Sequence, residues 1–164
     1  MPDSRDPFRA VVVERTHQIT LNSDPDEAFP LFGPAREADW AAGWEPDLVT
    51  CRPQEPQPGC VFRTYDSDRG ETIWLLSRLD WRRRRIEYVK TTPASDLSQI
   101  TVTVSRAGEG SASAEVTYRM TGLSAPGNAY VASFTDERYR QLIEEWATAI
   151  NHYLTTGEQR PTGL

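Results

Sequence analysis

The last third of the chain constrains the fold more than any other segment. From Asn128 to Thr155 the residues read as one uninterrupted helix. Val131, Phe134, Leu142, Trp146, Ile150 and Tyr153 recur every three or four positions and so share one stripe. Seven strand-like segments precede it. At 1.5 Å per residue such a helix is about 42 Å long. One sheet curled around its stripe would bury it, and that arrangement tends to enclose a cavity instead of a solid core.

The segments in front have clear punctuation. Val11 to Leu21 alternates as a first strand, with Val13, His17, Ile19 and Leu21 on one parity. Asp24-Pro25-Asp26-Glu27 then reads as a helix start, with Asp24 capping, Pro25 in the first helical position and Glu27 reaching back. Ala28, Phe29, Leu31 and Phe32 give its buried face, and Gly33-Pro34 stops it. A second short helix is expected from Ala35 to about Trp40. Six strands follow as a meander: Leu48–Cys51, Cys60–Tyr65, Thr72–Leu79, Arg85–Thr91, Leu97–Ser105 and Ala114–Thr121. Pro58-Gly59, Asp68-Arg69-Gly70 and Gly108-Glu109-Gly110 supply turns between them. Ser124 to Gly127 holds the cap of the long helix, and Gly157 ends it.

At 164 residues the chain fits one domain, placed at residues 11–158 with loose tails at 1–10 and 159–164. A net charge of −6 argues against nucleic acid or an anionic membrane as the main partner. No apolar run reaches the roughly 20 residues of a membrane helix, and MPDSRDPFRA lacks the apolar core of a signal peptide. These features predict a cytoplasmic protein and leave its oligomeric state, monomer or homodimer, open. Cys51 and Cys60 are too few for a thiolate zinc site; a hairpin loop could set them face to face, but in a reducing compartment they are expected as free thiols. Two distant histidines give no metal spacing, and no cofactor motif is present.

Several stretches carry a family likeness: Asp24-Pro25-Asp26-Glu27-Ala28-Phe29, Arg36-Glu37-Ala38-Asp39-Trp40 with Gly43-Trp44, Pro58-Gly59-Cys60-Val61-Phe62, Glu71-Thr72-Ile73-Trp74, Phe134-Thr135-Asp136-Glu137-Arg138-Tyr139 and Asn151-His152-Tyr153-Leu154. In this order the chain resembles the START-like helix-grip superfamily (SRPBCC), and within it the small bacterial members grouped with polyketide cyclases and heat-shock ATPase activators. The resemblance implies an α+β fold, a seven-stranded curved antiparallel sheet wrapped around a long C-terminal helix, with two short helices after the first strand. It also implies a cavity between sheet and helix for an apolar or aromatic molecule. It transfers no catalytic residue, because members of one fold differ in function.

Two acids and two indoles lie within Glu37–Trp44, where the short helices would rim the cavity mouth. Trp40 and Trp44 offer flat walls with one N–H donor each, or they pack as core. His17 points inward by strand parity and is the candidate for proton chemistry, with Glu37 as an acid near the mouth. Phe62, Trp74, Tyr88, Tyr118 and Phe134 are the candidate walls; the parity of the Trp74 strand is open. Arg138 either meets a ligand acid or pairs with Glu37 or Asp39. Three functions fit: binding of a small hydrophobic, aromatic or lipid-like molecule, a polyketide cyclase or aromatase, and a protein-interaction module like the heat-shock ATPase activators.

Overall fold

A computed structural model describes residues 7–161 of the chain. Seven strands pair antiparallel in the order β1-β7-β6-β5-β4-β3-β2. They are β1 (Val12–Leu21), β2 (Asp47–Leu48), β3 (Val61–Asp66), β4 (Gly70–Asp80), β5 (Arg85–Thr92), β6 (Asp96–Gly108) and β7 (Ser111–Gly122). Between β1 and β2 the chain forms α1 (Pro25–Ala28) and two 3-10 helices, Phe29–Phe32 and Arg36–Asp39. After β7 come α2 (Ala125–Ala132) and α3 (Asp136–Thr156). This is the α+β helix-grip arrangement implied by the resemblance.

Alternation decides which side of the sheet faces α3. Ile100, Val102 and Val104 on β6, and Val116, Tyr118 and Met120 on β7, are all buried. Their odd-numbered neighbours on both strands face outward, as period two requires. On β4 the inward set is Thr72, Trp74 and Leu76, which closes the parity question. From the other side α3 contributes Tyr139, Ile143, Ala147 and Ile150. Each large side chain removed from water here stabilises by about 1.5–3 kcal/mol.

The single long helix expected from Asn128 to Thr155 is in fact two. Thr135 accepts the N–H of Arg138 at 3.2 Å and so caps α3, with Asp136 and Glu137 in its first turn. The apolar period runs on through the break because Phe134, in the connection, is itself buried. That leaves α3 with 21 residues, about 31 Å long. Ser124 caps α2 through the N–H of Gly127 at 3.1 Å, and Gly157 ends α3 at φ 74°. Gly127 also lets α2 lie on the turn before β6: a Cβ there would stand 1.7 Å from the Ser95 carbonyl oxygen.

Three further expectations change. Asp24 makes no capping bond; its carboxylate accepts from Arg106 at 2.9 Å instead. Cys51 and Cys60 are joined by a disulfide, their Cα atoms 4.8 Å apart. Backbone bonds from Val49 and Thr50 to the Val61 carbonyl fold the two cysteines together across the loop, so the facing pair is as the hairpin suggested and only the free-thiol expectation is overturned. Of the loose tails, residues 1–6 and 162–164 lie outside the described residues. Residues next to them are held: Asn128 bonds the Arg9 carbonyl at 2.9 Å and the Val11 N–H at 2.8 Å. Among the described residues no helix is long and apolar enough to cross a membrane.

Candidate functional site

A cavity of about 560 Å³ lies between the inner sheet face, α3 and the Arg36–Asp39 helix. A second, of about 210 Å³, sits beyond Phe29 and Trp81 and has Arg36 as its one charged liner. The larger has both the room and the chemistry for a ligand.

Strand register builds its floor. Phe62 stands opposite Trp74, Trp74 opposite Lys90, Lys90 opposite Ser98 and Ser98 opposite Met120. The adjacent row reads Leu76, Tyr88, Ile100, Tyr118. Trp40, Trp44, Trp146 and Phe134 complete the wall from the helical side, and exposed Ala42, Arg138 and Glu145 mark where the cavity meets solvent.

Of the nine residues singled out in the sequence, seven line this cavity: Trp40, Trp44, Trp74, Tyr88, Tyr118, Phe134 and Arg138. Phe62 is one layer behind, stacked on Trp74 with ring centroids 5.3 Å apart and planes at 14°. It stiffens the wall and does not form it. His17 does face the helix, but outside the cavity, where its Nε2 meets Glu144 Oε1 at 2.7 Å. Edge strand β1 has no cavity-lining residue, so inward parity places its histidine against the flank of α3.

The aromatic walls are fixed by their polar ends. Trp40 Nε1 donates to the Leu31 carbonyl at 2.7 Å and Trp44 Nε1 to that of Pro34 at 2.8 Å. Tyr88 donates to the Phe32 carbonyl at 2.7 Å. These bonds aim flat ring faces inward and leave no N–H or O–H to spare on those three side chains. Tyr118 differs. Its hydroxyl has no hydrogen-bond partner among the described residues, and burial followed by the Glu37 charge pushes its ionisation well above the usual value. It is a neutral phenol facing the cavity.

Two ionisable side chains inside the cavity have no ion-pair partner among the described residues, Glu37 and Lys90. Asp39 is drawn away to Arg36 at 2.7 Å, and Arg138 folds back on Ser133 and over the Phe134 ring, 4.2 Å from its centroid. Neither arginine meets Glu37. Burial pushes the Glu37 carboxyl up to about 8, opposed by the Lys90 charge. Burial pulls the Lys90 amine down to about 8; the Asp96 and Glu37 charges oppose this and the Arg69 charge adds to it. Asp96, almost fully buried, is bound to Arg69, whose guanidinium also covers Tyr130, 3.5 Å from the ring centroid. Both shifts disfavour charge: at pH 7 the acid is held mostly protonated and about a tenth of the amine is neutral.

Lys90 was not among the sequence candidates, although its signal was present. In Arg85-Ile86-Glu87-Tyr88-Val89-Lys90, period two places it on the same face as Ile86 and Tyr88. It is also the only lysine in the chain.

No protein-family model matches the chain, and no curated protein matches it by sequence. Solved structures do match by shape. Norcoclaurine synthase from Thalictrum flavum, in complex with dopamine and hydroxybenzaldehyde, superposes with a TM-score of 0.68 at 12% identity, over 92% of this chain and 91% of that one. The chain has the helix-grip fold. Two other helix-grip structures bound its range. The di-domain ARO/CYC BexL of the BE-7585A biosynthetic pathway aligns with a TM-score of 0.65 at 17% identity, over 87% of this chain and 46% of that one. Ara h 8.0201 aligns with a TM-score of 0.62 at 12% identity, over 89% and 99%. At these identities the likeness is one of fold, and function rests on the cavity.

Proposed function

We propose that this helix-grip protein binds one small aromatic molecule in the cavity between β4–β7 and α3. The observation that carries the reading is the pairing of aromatic faces with unpartnered polar groups. Trp40, Trp44, Trp74 and Tyr88 present rings whose own donors are already satisfied, while Tyr118, Glu37 and Lys90 keep theirs for something else. A volume of about 560 Å³ suits a ligand of two or three fused rings. Relatives in shape lean the same way: one was solved with dopamine and hydroxybenzaldehyde, another is an ARO/CYC from a biosynthetic pathway.

A cyclase or aromatase is the second reading, favoured by one observation. Glu37 as a neutral acid and Lys90 as an amine of similar proton affinity are matched for proton transfer near pH 7. A closed, solid interior would favour an interaction module, and the open cavity of about 560 Å³ gives that reading no such support. Native mass spectrometry of gently purified protein, followed by thermal shift against aromatic and lipid panels, tests the proposal. A discrete adduct lost on denaturation, or stabilisation by aromatics above aliphatic lipids, is expected. No adduct and no shift with any member would sink it.

A further inference from the structure

Of the 18 Lys and Arg residues, 17 are arginine, and the single lysine is the one in the cavity. Every ion pair to Asp or Glu among the described residues uses arginine, apart from His17–Glu144. A permanent positive charge is thus supplied by arginine throughout this molecule. An amine does what a guanidinium cannot: it sheds a proton and becomes a nucleophile.

The surroundings of Lys90 suit that role. Its Nζ lies 4.9 Å from the Trp74 ring centroid and 5.6 Å from that of Tyr118. The nearest acid along the sheet, Asp96, is occupied by Arg69. No carboxylate holds the ammonium by an ion pair among the described residues, so only its ring contacts and the longer-range Asp96 and Glu37 charges favour the charged form over the free lone pair. An aromatic ligand lying on the Trp74 and Tyr118 faces would bring its substituent to Nζ.

We propose that the Lys90 amine condenses with the carbonyl of an aromatic aldehyde or ketone seated in the cavity, forming an imine. The inference rests on the cavity binding an aromatic ligand and adds its chemical class. The nitrogen lone pair attacks the carbonyl carbon, the C=O π pair moves to oxygen, and a proton shifts from nitrogen to that oxygen. The carbinolamine then loses this hydroxyl as water, taking up a proton that the Glu37 carboxyl can lend, and the nitrogen lone pair closes C=N. The iminium returns its proton to Glu37. One amine and one carbonyl compound give one imine and one water, with no oxidant or reductant. Hydrolysis reverses it, so the same group can hold a carbonyl compound or activate its neighbouring carbon.

The test uses 2-naphthaldehyde with sodium cyanoborohydride at pH 7, read by intact mass and peptide mapping. Binding of naphthalene, which has no carbonyl, is followed in parallel by tryptophan fluorescence. The expected result is one naphthylmethyl group on Lys90, formed on the order of 100-fold faster than on the ε-amine of a free lysine amide, as an amine that loses its proton near pH 8 predicts. Naphthalene should compete with it, and Lys90→Arg, checked for folding by circular dichroism, should abolish it. Naphthalene binding with labelling confined to the α-amino group would overturn the imine and leave the cavity reading standing. Failure of both naphthalene binding and Lys90 labelling would overturn the two together.

Discussion

His17 Nε2 and Glu144 Oε1 meet at 2.7 Å and join edge strand β1 to the flank of α3. Glu144 is half exposed, and His17 less so. The contact braces the grip from outside the cavity, and exposed pairs of this kind are worth about 0.2–1 kcal/mol. We predict that His17→Ala and Glu144→Ala each cost no more than about 1 kcal/mol, with coupling in a double-mutant cycle inside that range. Aromatic ligand affinity should not change in either. Denaturant titration with a binding isotherm checks both, and a tenfold loss of affinity in His17→Ala would return the histidine to the site.

Glu37 gives the protein a pH signature. Its folded-state pKa is raised from 4.5 to about 8, so between these values the native state holds a proton that the unfolded chain has released. Stability from this group is present in acid, falls as pH rises from about 4.5, and is fully lost above about 8. Glu37→Gln should therefore raise the unfolding free energy at pH 8.5 by about 2 kcal/mol and leave it nearly unchanged at pH 4. The full shift would give about twice that, but the half-buried carboxyl meets cavity water. Thermal unfolding at the two pH values is the measurement, and an equal effect at both would refute the assignment.

Tyr88 and Tyr118 share a row of the sheet but predict opposite outcomes. Tyr88→Phe strands the Phe32 carbonyl and should cost about 1–2 kcal/mol of stability. Tyr118→Phe removes a hydroxyl with no partner among the described residues and should cost under about 0.5 kcal/mol. If the Tyr118 phenol meets the ligand, affinity for a hydrogen-bonding aromatic should nonetheless fall about 5- to 10-fold. Parallel denaturation and titration of the two variants separates fold from site.

The Cys51–Cys60 bond spans a sequence separation of 9. Closing a loop of that length stabilises by about 2–3 kcal/mol in the chain-entropy account. Reduction, or Cys51→Ser with Cys60→Ser, should lower stability by about that amount. Cavity binding should survive, since neither cysteine lines it. Loss of binding on mild reduction would show that the bond also positions the Trp44–Trp74 wall.

Gly127→Ala should be among the most damaging single-methyl additions. The new Cβ would overlap the Ser95 carbonyl, and backbone cannot step aside as a flexible side chain would. A cost of about 2–4 kcal/mol is expected. Aromatic affinity should drop as well, because α2 leads directly into Phe134. Unfolding midpoints and a ligand titration on the same preparation test this.

Periodicity made the sheet, its meander and the C-terminal grip legible, because burial of one face per element leaves a record every second or every third to fourth residue. It also placed Trp74 or its neighbour inward without saying which, and it ran Phe134 straight through a helix break that Thr135 capping imposes. Residue type then recovered the aromatic walls, since large rings in this fold go either to core or to cavity. It missed Lys90 because a lysine on an apolar strand face looks like a solvent-side exception.

By itself, the sequence determined the order of elements, the faces they bury and the stock of side chains, all of which follow from local geometry and hydrophobic burial. Tertiary structure alone decided who meets whom. It set His17 against Glu144, drew Asp39 to Arg36 and Asp96 to Arg69, bonded Cys51 to Cys60, and left Glu37 and Lys90 with no ion-pair partner among the described residues in one cavity. Partners so far apart in sequence are chosen by strand register and helix docking, and charge is priced by the dielectric around it, which no single strand or helix contains.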